Sequence, residues 1–515
     1  MEGLTARLPL RAALLSIFAK GGDILRSDFE FKGKMMVCRF AVVLGAGLFG
    51  LACGGGDLVT EGDIRVDHAG GAESLVEATG PRSCLDDSGV VHAVWFDDRG
   101  GVEGVWYNRS VDGGVSWQTT DVQINRGSAA ARLPDLACVG QNIYIVWEDH
   151  RDGELENGNI YVNYSTDSGR TFLAEDIALD ADPDGENVSL APRIAAKGNS
   201  VHVAWFDARN GAYDIYVNSS TDAGATWQPE PVRVDTDSAG SAYSASPVIA
   251  AGGGGEVVVA WEDSRDGYSD IYTNYSSDHG QSFSSNDKRL DLGEAGGADS
   301  FFPKLDLSDG HAYIVWHDTI GGEGREIYLA HSADGGASWD EAVRVESEAP
   351  GLHDALFPSV DALGATVYVA WQDARYGGYD IFLRKSLDGG ATWVSEESRI
   401  DRTSEGTSHS YAAQVTAWAD DTVIVLWEDR RSDGESVGFN DLFYNYSFDG
   451  AATWGFSDLR INSNLPGSAY AVDPVLMRNE GELLCVWADG RYGSSSIFFN
   501  SLAIGEGSVY IPPEE

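Results

Sequence analysis

The stretch Ser220-Thr-Asp222-Ala-Gly224-Ala-Thr-Trp227 identifies the repeat unit of this chain, because versions of it recur along the sequence at a nearly constant spacing. The shared pattern is Ser-x-Asp-x-Gly-x-x-Trp. Its seven copies begin at Ser110, Ser165, Ser220, Ser276, Ser332, Ser386 and Ser447. Successive copies lie 54 to 61 residues apart. A repeat of this length indicates one supersecondary unit copied around an array, in which each copy packs against the next.

A second motif, Trp-x-Asp-x-Arg, keeps the same period and occurs eight times. Its copies begin at Trp95, Trp147, Trp205, Trp261, Trp316, Trp371, Trp427 and Trp487. Each copy ends an alternating apolar run such as 201–205, which predicts a strand. A second run such as 214–218, a short strand such as 232–235 and a Pro-led strand such as 247–250 complete the unit. Four short antiparallel strands per unit are typical of a β-propeller blade.

The two ends of the chain together complete one blade. The eighth repeat has strands at 483–487 and 497–501, but no Ser-Asp turn and no outer strand follow them. The stretch Ile64-Arg-Val-Asp67 matches the outer strand Val232-Arg-Val-Asp235. We therefore predict an all-β, eight-bladed β-propeller of four-stranded antiparallel blades over residues 63–502. The N-terminal strand closes the ring and removes an open sheet edge.

The repeated polar residues have structural roles to fill. Asp and Ser side chains fix tight turns through hydrogen bonds to the nearby backbone. The aspartates assigned to such turns are Asp112, Asp167, Asp222, Asp278, Asp334, Asp388 and Asp449. In the second motif we expect each Arg to pair with its own Asp and with the acidic residue that opens the next strand, as in Arg209 with Asp207 and Asp214. Asn-x-Ser sequences at a fixed repeat position, such as the one at Asn108, are interpreted as repeat consensus and not as glycan sites.

With seven Ser-Asp turns at blade spacing, the chain resembles the Asp-box (BNR) repeat proteins, the superfamily that includes sialidases. The resemblance covers residues 63–502 and implies a sialidase-like propeller whose Asp boxes lie on the face opposite the ligand-binding face. It implies no reaction, because function resides in sites and not in folds. Sialidases have six blades, an Arg-Ile-Pro motif, three arginines for a carboxylate, an Asp acid/base and a Tyr/Glu nucleophile pair. Here the first Pro-led strand reads Gly80-Pro81-Arg82-Ser83-Cys84, and no catalytic residue transfers by position.

The N-terminal region predicts export. Residues 35–53 resemble a bacterial lipoprotein signal ending at Cys53, the residue that would be lipidated; the alternative is cleavage after Ala52 and free secretion. Residues 1–34 are interpreted as a non-native or disordered extension, 54–62 as a flexible tether and 503–515 as a tail. The expected location is the cell envelope or the outside of the cell. Among the remaining cysteines, we expect buried free thiols, with a bridge between Cys84 and Cys138 as the alternative.

Asymmetry among the repeats points to candidate site residues. The fifth repeat reads His317-Asp318-Thr319-Ile320 and has no Arg. The candidates for general acid/base chemistry on three consecutive blades are His317, His353, Asp354, His409 and Tyr411. The alternative is that they are exposed loop residues without a chemical role. The spacing of Asp180, Asp182 and Asp184 is that of a calcium loop, although Ala191 stands where a bidentate Glu would be expected.

Composition limits the function. The net charge is −46, with 81 acidic and 35 basic residues, which argues against binding nucleic acid or an anionic membrane through a basic face. We expect a monomeric binding or scaffold module for a surface glycan or an envelope or extracellular protein, with no required cofactor and membrane contact only through the lipid anchor. The alternative is a sialidase-like glycoside hydrolase with a non-standard site. A purely structural envelope protein is a third hypothesis.

Overall fold

The computed structural model describes residues 27–31, 34–38, 62–68, 77–151, 157–181, 187–320, 324–394, 396–407, 409–418, 421–432, 439–479 and 482–503. The chain divides into two units, Met1–Val59 and Thr60–Glu515. In the first unit, strands Ser27–Phe31 and Lys34–Cys38 pair antiparallel. All further description concerns the second unit. The described residues contain no helix, and so none that is long and apolar enough to cross a membrane.

Eight four-stranded antiparallel sheets make up the second unit, which confirms the eight-bladed propeller. Blades are numbered 1 to 8 by the order of their first strands along the chain. The first strands are Thr79–Leu85, Ala131–Val139, Ser189–Lys197, Ser244–Ala251, Ser300–Ser308, Ala355–Leu363, Ser410–Ala417 and Ala471–Asn479. The second strands are Val91–Asp97, Asn142–Asp149, Ser200–Asp207, Val257–Asp263, His311–Asp318, Thr366–Asp373, Val423–Asp429 and Glu482–Asp489.

The outer half of each blade consists of one long and one very short strand. The third strands are Gly104–Ser110, Asn159–Ser165, Asp214–Ser220, Asp270–Ser276, Glu326–Ser332, Asp380–Ser386, Asp441–Ser447 and Ser496–Ala503. The fourth strands are Val122–Gln123, Ile177–Ala178, Val232–Arg233, Lys288–Arg289, Val343–Arg344, Ser398–Arg399, Leu459–Arg460 and, in blade 8, Ile64–Arg65. Within a blade every strand pairs with its neighbour in order, so the turns between strands set the register.

The N-terminal strand closes the ring, as the sequence predicts. Ile64 pairs with Phe499 and Arg65 with Phe498, so a strand from the start of the propeller is the outermost strand of its last blade. The first strand of blade 8 packs against that of blade 1, and the other first strands contact their neighbours in the same way. The first strands therefore surround a central channel, and no blade is left without a neighbour on either side.

A β-bulge interrupts the first strand of every blade. The register shifts at the residue before the repeat's proline, or before Ala413 in blade 7. The shifted residues have φ between 49° and 58°, and they are Gly80, Leu133, Ala191, Ser246, Phe302, Phe357, Ala412 and Asp473. Residues other than glycine seldom adopt this left-handed backbone conformation. The bulge re-aims one side chain per blade at the same level of the channel.

The Trp-x-Asp-x-Arg motif forms a buried ion-pair cluster in seven blades. In all eight blades the Trp indole N–H donates to the motif Asp, over 2.8–3.4 Å. Where present, the motif Arg pairs with that Asp and lies 4.0–4.4 Å from the centre of an aromatic ring on the third strand. The predicted pairing of the Arg with its own Asp is confirmed.

The second partner of the motif Arg differs from the prediction. In six blades it is the carboxylate that precedes the fourth strand, at 2.6–2.9 Å; these carboxylates are Asp121, Asp176, Asp287, Glu397, Asp458 and Asp63. Asp214, the predicted partner of Arg209, pairs instead with Arg233 of the fourth strand. The prediction was wrong because the Arg reaches along the outer edge of the blade and not toward the strand opposite its Asp. In blade 8 the N-terminal segment supplies the partner, Asp63.

Blade 5 lacks both the arginine and the outer carboxylate of this cluster. Ile320 stands at the Arg position and Ala342 at the position of the outer carboxylate. Burial raises the pKa of Asp318 there. In blade 4, burial also favours a higher pKa for Asp263, but hydrogen bonds from Arg265 and Trp261 outweigh it and lower the pKa. In blade 5 the outer carboxylate is missing together with the arginine. The absence of the cation therefore leaves no outer carboxylate unpaired there.

The Asp boxes join neighbouring blades. In blade 2, Gly169 has φ +72°, and a Cβ there would lie 1.8 Å from the hydroxyl oxygen of Tyr107 in blade 1. Phe172 of the same box packs edge-on against Tyr107, with ring centres 4.9 Å apart. The box aspartates fix the turn as expected: Asp167 accepts hydrogen bonds from Ser165 and Thr171. The glycine therefore permits the close approach, and the aromatic residue anchors the contact.

Two further sequence predictions are settled by burial and bonding. The asparagines of the Asn-x-Ser sequences, Asn108, Asn163, Asn218, Asn274 and Asn445, are at most 3% exposed, so they are structural, as interpreted. The expectation of free thiols was wrong for Cys84 and Cys138, which form a disulfide between the first strands of blades 1 and 2. Their Cα atoms are 6.0 Å apart, a spacing that the repeat period does not reveal. Cys485 is a buried free thiol.

The cluster in blade 4 provides a test of how these charges stabilise the ring. We expect Arg265→Ile to lower the free energy of unfolding by roughly 3–5 kcal/mol, because Asp263 and Asp287 lose their cation inside the blade. Adding Asp287→Ala, as blade 5 has at Ala342, should restore part of that loss. The urea midpoint and the thermal midpoint measure both effects.

The matched control is Arg170→Ile, since Arg170 is an exposed arginine in the Asp box of blade 2. It should change the midpoint little. If Arg265→Ile were no more destabilising than Arg170→Ile, or if the double variant were worse than Arg265→Ile alone, the account of the cluster would be incorrect.

Candidate functional site

One face of the propeller carries the variable loops. The turns between second and third strands and the loops that lead into the first strands lie at the same end of every antiparallel blade, whereas the Asp boxes follow the third strands at the opposite end. We call the first of these ends the mouth face. Its turns carry the repeated ion-pair clusters, so only residues outside the repeat pattern can distinguish one blade from another.

Blades 5 and 6 place an aromatic group at the mouth face, which we call the phenylalanine cluster: Phe301, Phe302, Phe357 and His317. The rings of Phe302 and Phe357 are 5.0 Å apart, and His317 lies 5.4 Å from the first and 5.6 Å from the second. Phe302 and Phe357 are bulge residues and are 47% and 41% exposed. His317 is buried beneath them, at 2% exposure. Two phenylalanine rings therefore face solvent side by side at the channel entrance.

A hydrogen bond between blades holds four of the bulges in place, including that of Phe302 but not that of Phe357. The residue after the motif Trp accepts the backbone N–H of the next blade's bulge residue in four blades: Glu148 from Ala191, Glu262 from Phe302, Gln372 from Ala412 and Glu428 from Asp473. In blade 5 this position is His317, whose ring packs against Phe357 instead. The repeat's polar contact is thus replaced by an aromatic contact where the phenylalanines meet.

Burial controls the charge of His317. It lowers the pKa of His317 to about 4, and the nearby charge of Arg325 acts in the same direction. At neutral pH the imidazole is therefore neutral, as suits a ring enclosed by phenylalanines. Its role in this arrangement is to support the cluster from below.

An ion pair and a second aromatic group continue the mouth face toward blade 7. Arg325 Nη1 lies 3.2 Å from Asp354 Oδ1. Beside this pair, Tyr379, His409 and Tyr411 form the tyrosine cluster, in which the rings of His409 and Tyr411 stack at 5.8 Å and 12°. Burial raises the pKa of Tyr379, and the charge of Asp354 adds to the effect. Arg430 lies 5.1 Å from the centre of the Tyr411 ring.

The structure brings together four of the five candidate site residues named from the sequence. His317, Asp354, His409 and Tyr411 lie along the mouth face of blades 5 to 7. His353 is directed elsewhere: its Nδ1 is 3.2 Å from Asp373 Oδ1, in the ion-pair cluster of blade 6. His353 therefore supports a repeated structural cluster, and His317 is buried beneath Phe302 and Phe357. Asp354, His409 and Tyr411 stay candidates for ligand contact.

Sequence reasoning missed Phe302, Phe357, Arg325, Tyr379 and Arg430. The signal for the first two was present, since both precede the repeat's proline, where the other blades carry smaller or aliphatic residues or an aspartate. The others lie in loops whose position relative to the neighbouring blade cannot be read from one repeat. They enter the site only because adjacent blades are packed side by side.

Carboxylates that could hold a cation lie away from these residues. Asp180 Oδ2 accepts the backbone N–H of Ile160, and its carbonyl accepts from Arg209; Asp182 and Asp184 lie outside the described residues, so the calcium loop stays a prediction. Ligand atoms of Asp214, Asp235 and Asp237 lie within 4.8 Å of one another in blade 3. Arg233 Nη2 contacts all three carboxylates, so a guanidinium already supplies the positive charge there.

No protein-family model matches the chain, and no curated protein matches it. Several solved structures are similar to it at low identity. A polysaccharide lyase has a TM-score of 0.47 and 10% identity, over 72% of this chain and 89% of that one. An α-L-arabinanase of Penicillium chrysogenum complexed with arabinobiose has a TM-score of 0.37 and 14% identity, over 72% and 94%. The endosialidase of phage phi92 has a TM-score of 0.40 and 10% identity, over 88% and 70%. At these levels no residue, reaction or ligand transfers to this chain.

The contact between blades 7 and 8 gives a pH-dependent prediction. Burial raises the pKa of Glu428 to about 7, although hydrogen bonds from the Asp473 N–H and Asn440 oppose the rise. Because the folded-state pKa lies above the unfolded value of about 4.3, the group's contribution to stability is complete below pH ~4 and is lost as pH rises to about 7. Gln372 makes the same contact in blade 6 without a charge.

We therefore expect Glu428→Gln to weaken the decline of stability between pH 4.5 and 7.5. Relative to the unmodified protein, the variant should gain on the order of 2 kcal/mol across that interval. Thermal midpoints at the two pH values measure this, and the other buried carboxylates cancel because both proteins have them. An unchanged difference between the two proteins at both pH values would contradict the role given to burial.

Proposed function

We propose that this protein is a carbohydrate-binding propeller and that the mouth face of blades 5 to 7 is its ligand-binding surface. The observation that carries the proposal is the pair of solvent-facing rings of Phe302 and Phe357, held on bulges at the channel entrance. Exposed aromatic rings on a rigid concave surface are suited to packing against the apolar faces of sugar rings. The bulges fix the rings before a ligand arrives, which lowers the entropy cost of binding.

The polar groups around the rings supply directional contacts. Arg325 and Asp354 form a part-exposed ion pair, with side chains 43% and 34% exposed, so both retain free hydrogen-bonding capacity toward a ligand. Tyr379, His409 and Tyr411 add hydroxyl and imidazole groups on the same face. Stacking surfaces bordered by bidentate donors and acceptors are the usual composition of a site for hydroxyl-rich ligands.

Substitution of the exposed rings tests the proposal. Glycan-array and calorimetric binding should identify a saccharide that the unmodified chain binds, and Phe302→Ala or Phe357→Ala should weaken that binding at least tenfold. Tyr411→Phe should weaken it less, because only a hydroxyl is removed. The control is Phe456→Ala, since Phe456 is 85% exposed and follows the Asp box of blade 7.

Three outcomes separate the hypotheses. Binding that is lost in the two phenylalanine variants but kept in Phe456→Ala supports the proposal. Turnover of a fluorogenic glycoside that Asp354→Asn abolishes would favour the glycoside hydrolase instead. Absence of saccharide binding from a folded sample would reject the mouth face as a glycan site and favour a protein partner or a purely structural role.

We also propose that the protein is exported and anchored through a lipid on Cys53. The disulfide between Cys84 and Cys138 supports export, because disulfides persist in oxidising compartments and are rare in the cytosol. Cys53 itself lies outside the described residues. The residues between Cys53 and Asp63 are rich in glycine, which suits a tether between a membrane and the propeller strand Ile64–Arg65.

Expression in a bacterial host tests both statements. The unmodified chain should fractionate with membranes and carry lipid on Cys53 by mass spectrometry, whereas Cys53→Ser should be neither lipidated nor retained. The Cys84–Cys138 bridge should be detected in the exported protein, and its reduction should lower stability by roughly 2–4 kcal/mol. Cys84→Ser is the control, since a reductant should then have no further effect. A soluble, unlipidated product from the unmodified chain would contradict the anchor.

A further inference from the structure

One position on the first strands concentrates positive charge in the channel. It is the residue after the repeat's proline, and all eight copies pair with the second strand at the same register. The residues are Arg82, Asp135, Arg193, Val248, Lys304, Ser359, Gln414 and Val475. We call this set the channel level. Blades 1, 3 and 5 each contribute a cation to it.

The three cations act on one another across the ring. The pKa of Lys304 is lowered, first by enclosure within the protein and then by the charges of Arg193 and Arg82. Enclosure and the charge of Arg82 likewise lower the pKa of Arg193, although the charge of Asp135 opposes them. Blades 1 and 5 stand on opposite sides of an eight-bladed ring, so their side chains can interact only by extending into the channel. Lys304 is solvent-exposed and therefore accessible from within it.

These cations have very few partners. Arg82 Nε lies 3.6 Å from Asp135 Oδ1, while Asp135 Oδ2 accepts the backbone N–H of Ile194. Arg193 donates one hydrogen bond, to the carbonyl of Pro192. Lys304 has no hydrogen-bond or ion-pair partner among the described residues. Three cations and one carboxylate leave a net charge of +2 at this level.

That imbalance is unusual in a chain of this composition. The net charge is −46, and the motif arginines elsewhere are paired, most with two carboxylates. Like charges held at one level of the channel without an equal counter-charge disfavour one another's charged forms. Two residues further along the first strands, the channel is acidic: Asp306 and Asp361 bind backbone N–H groups of neighbouring strands, and Arg478 lies 3.7 Å from Asp361.

We propose that the channel level is a binding site for a dianionic oxyanion of the sulfate or phosphate type, held by Arg82, Arg193 and Lys304. Two guanidinium groups and an ammonium group present many N–H donors, which match an anion with several equivalent oxygens. A dianion neutralises the +2 charge of the level. The same chemistry is offered by the free ion and by a sulfate or phosphate ester on a polymer that enters from the mouth face. This site is distinct from the aromatic rings of blades 5 to 7 and does not depend on them.

Titration of the purified full chain with sodium sulfate, against sodium chloride at equal ionic strength, tests the site. Calorimetry should give saturable binding of one sulfate, and the thermal midpoint should rise with sulfate over the same concentration range. Lys304→Gln and Arg193→Gln should weaken binding at least tenfold. Lys197→Gln is the control, because Lys197 is exposed at the far end of a first strand. Asp135→Asn should strengthen binding severalfold, since it raises the charge of the level and keeps an acceptor for Ile194.

A second measurement keeps the test decisive if a variant binds poorly because it folds poorly. Without sulfate and at low salt, Lys304→Gln should have an equal or higher thermal midpoint, because it relieves repulsion from Arg82 and Arg193. A sulfated oligosaccharide and its desulfated form distinguish the sources of the anion. Binding of the sulfated form alone, lost in Lys304→Gln, supports a polymer-borne ester; binding of free sulfate supports a free ion. No binding of either, or binding that Lys304→Gln leaves unchanged, overturns the proposal.

Discussion

The buried pairing between the motif aspartate and arginine, present in seven of the eight blades, is the interaction that holds the strands of a blade together. The aspartate ends the second strand and accepts a hydrogen bond from the Trp indole N–H. It also accepts the backbone N–H of the arginine two residues later, which stabilises the turn, as Asp263 does for Arg265. The arginine then reaches the carboxylate before the fourth strand and lies over the third-strand ring. One guanidinium thus connects the second, third and fourth strands. Such a cluster adds little net energy relative to an apolar one, but removing any single member leaves a buried charge unpaired.

Because this framework repeats, variation is confined to the ends of the strands. Blade 5 shows how far variation can go: it loses the arginine and the outer carboxylate together, and Ile320 and Ala342 take their places. It also carries His317 where four other blades have a residue that binds the next bulge. Blade 5 thus lacks the repeated ion-pair cluster and carries Phe301, Phe302 and His317 at its mouth face.

Predictions from the sequence were accurate where a single repeat contains the answer. The Asp-box turn is one such case, since Ser165, Asp167 and Thr171 bond to one another within seven residues. The pairing of Arg209 with Asp207 is another. The second arginine partner was misassigned, because the outer carboxylate lies more than twenty residues away, on a strand whose position depends on the blade's twist. His353 was grouped with Asp354 through adjacency in sequence, yet it lies against Asp373, as successive residues face different sides.

The repeat unit, the number of blades and the closure of the ring by the N-terminal strand could all be predicted from the amino-acid sequence. Strand periodicity and turn chemistry are local, and the motif count at the two ends of the chain leaves only one place for the segment at Ile64. The tertiary structure decided which side chains from different blades meet. Phe302 and Phe357 lie 55 residues apart in sequence, yet their rings are in contact. Cys84 and Cys138 are bonded over a similar separation, and Arg82 and Lys304 occupy the same level of the channel although they belong to blades 1 and 5. These contacts depend on the rotation from one blade to the next, which is set by packing between sheets and is not written in any single repeat.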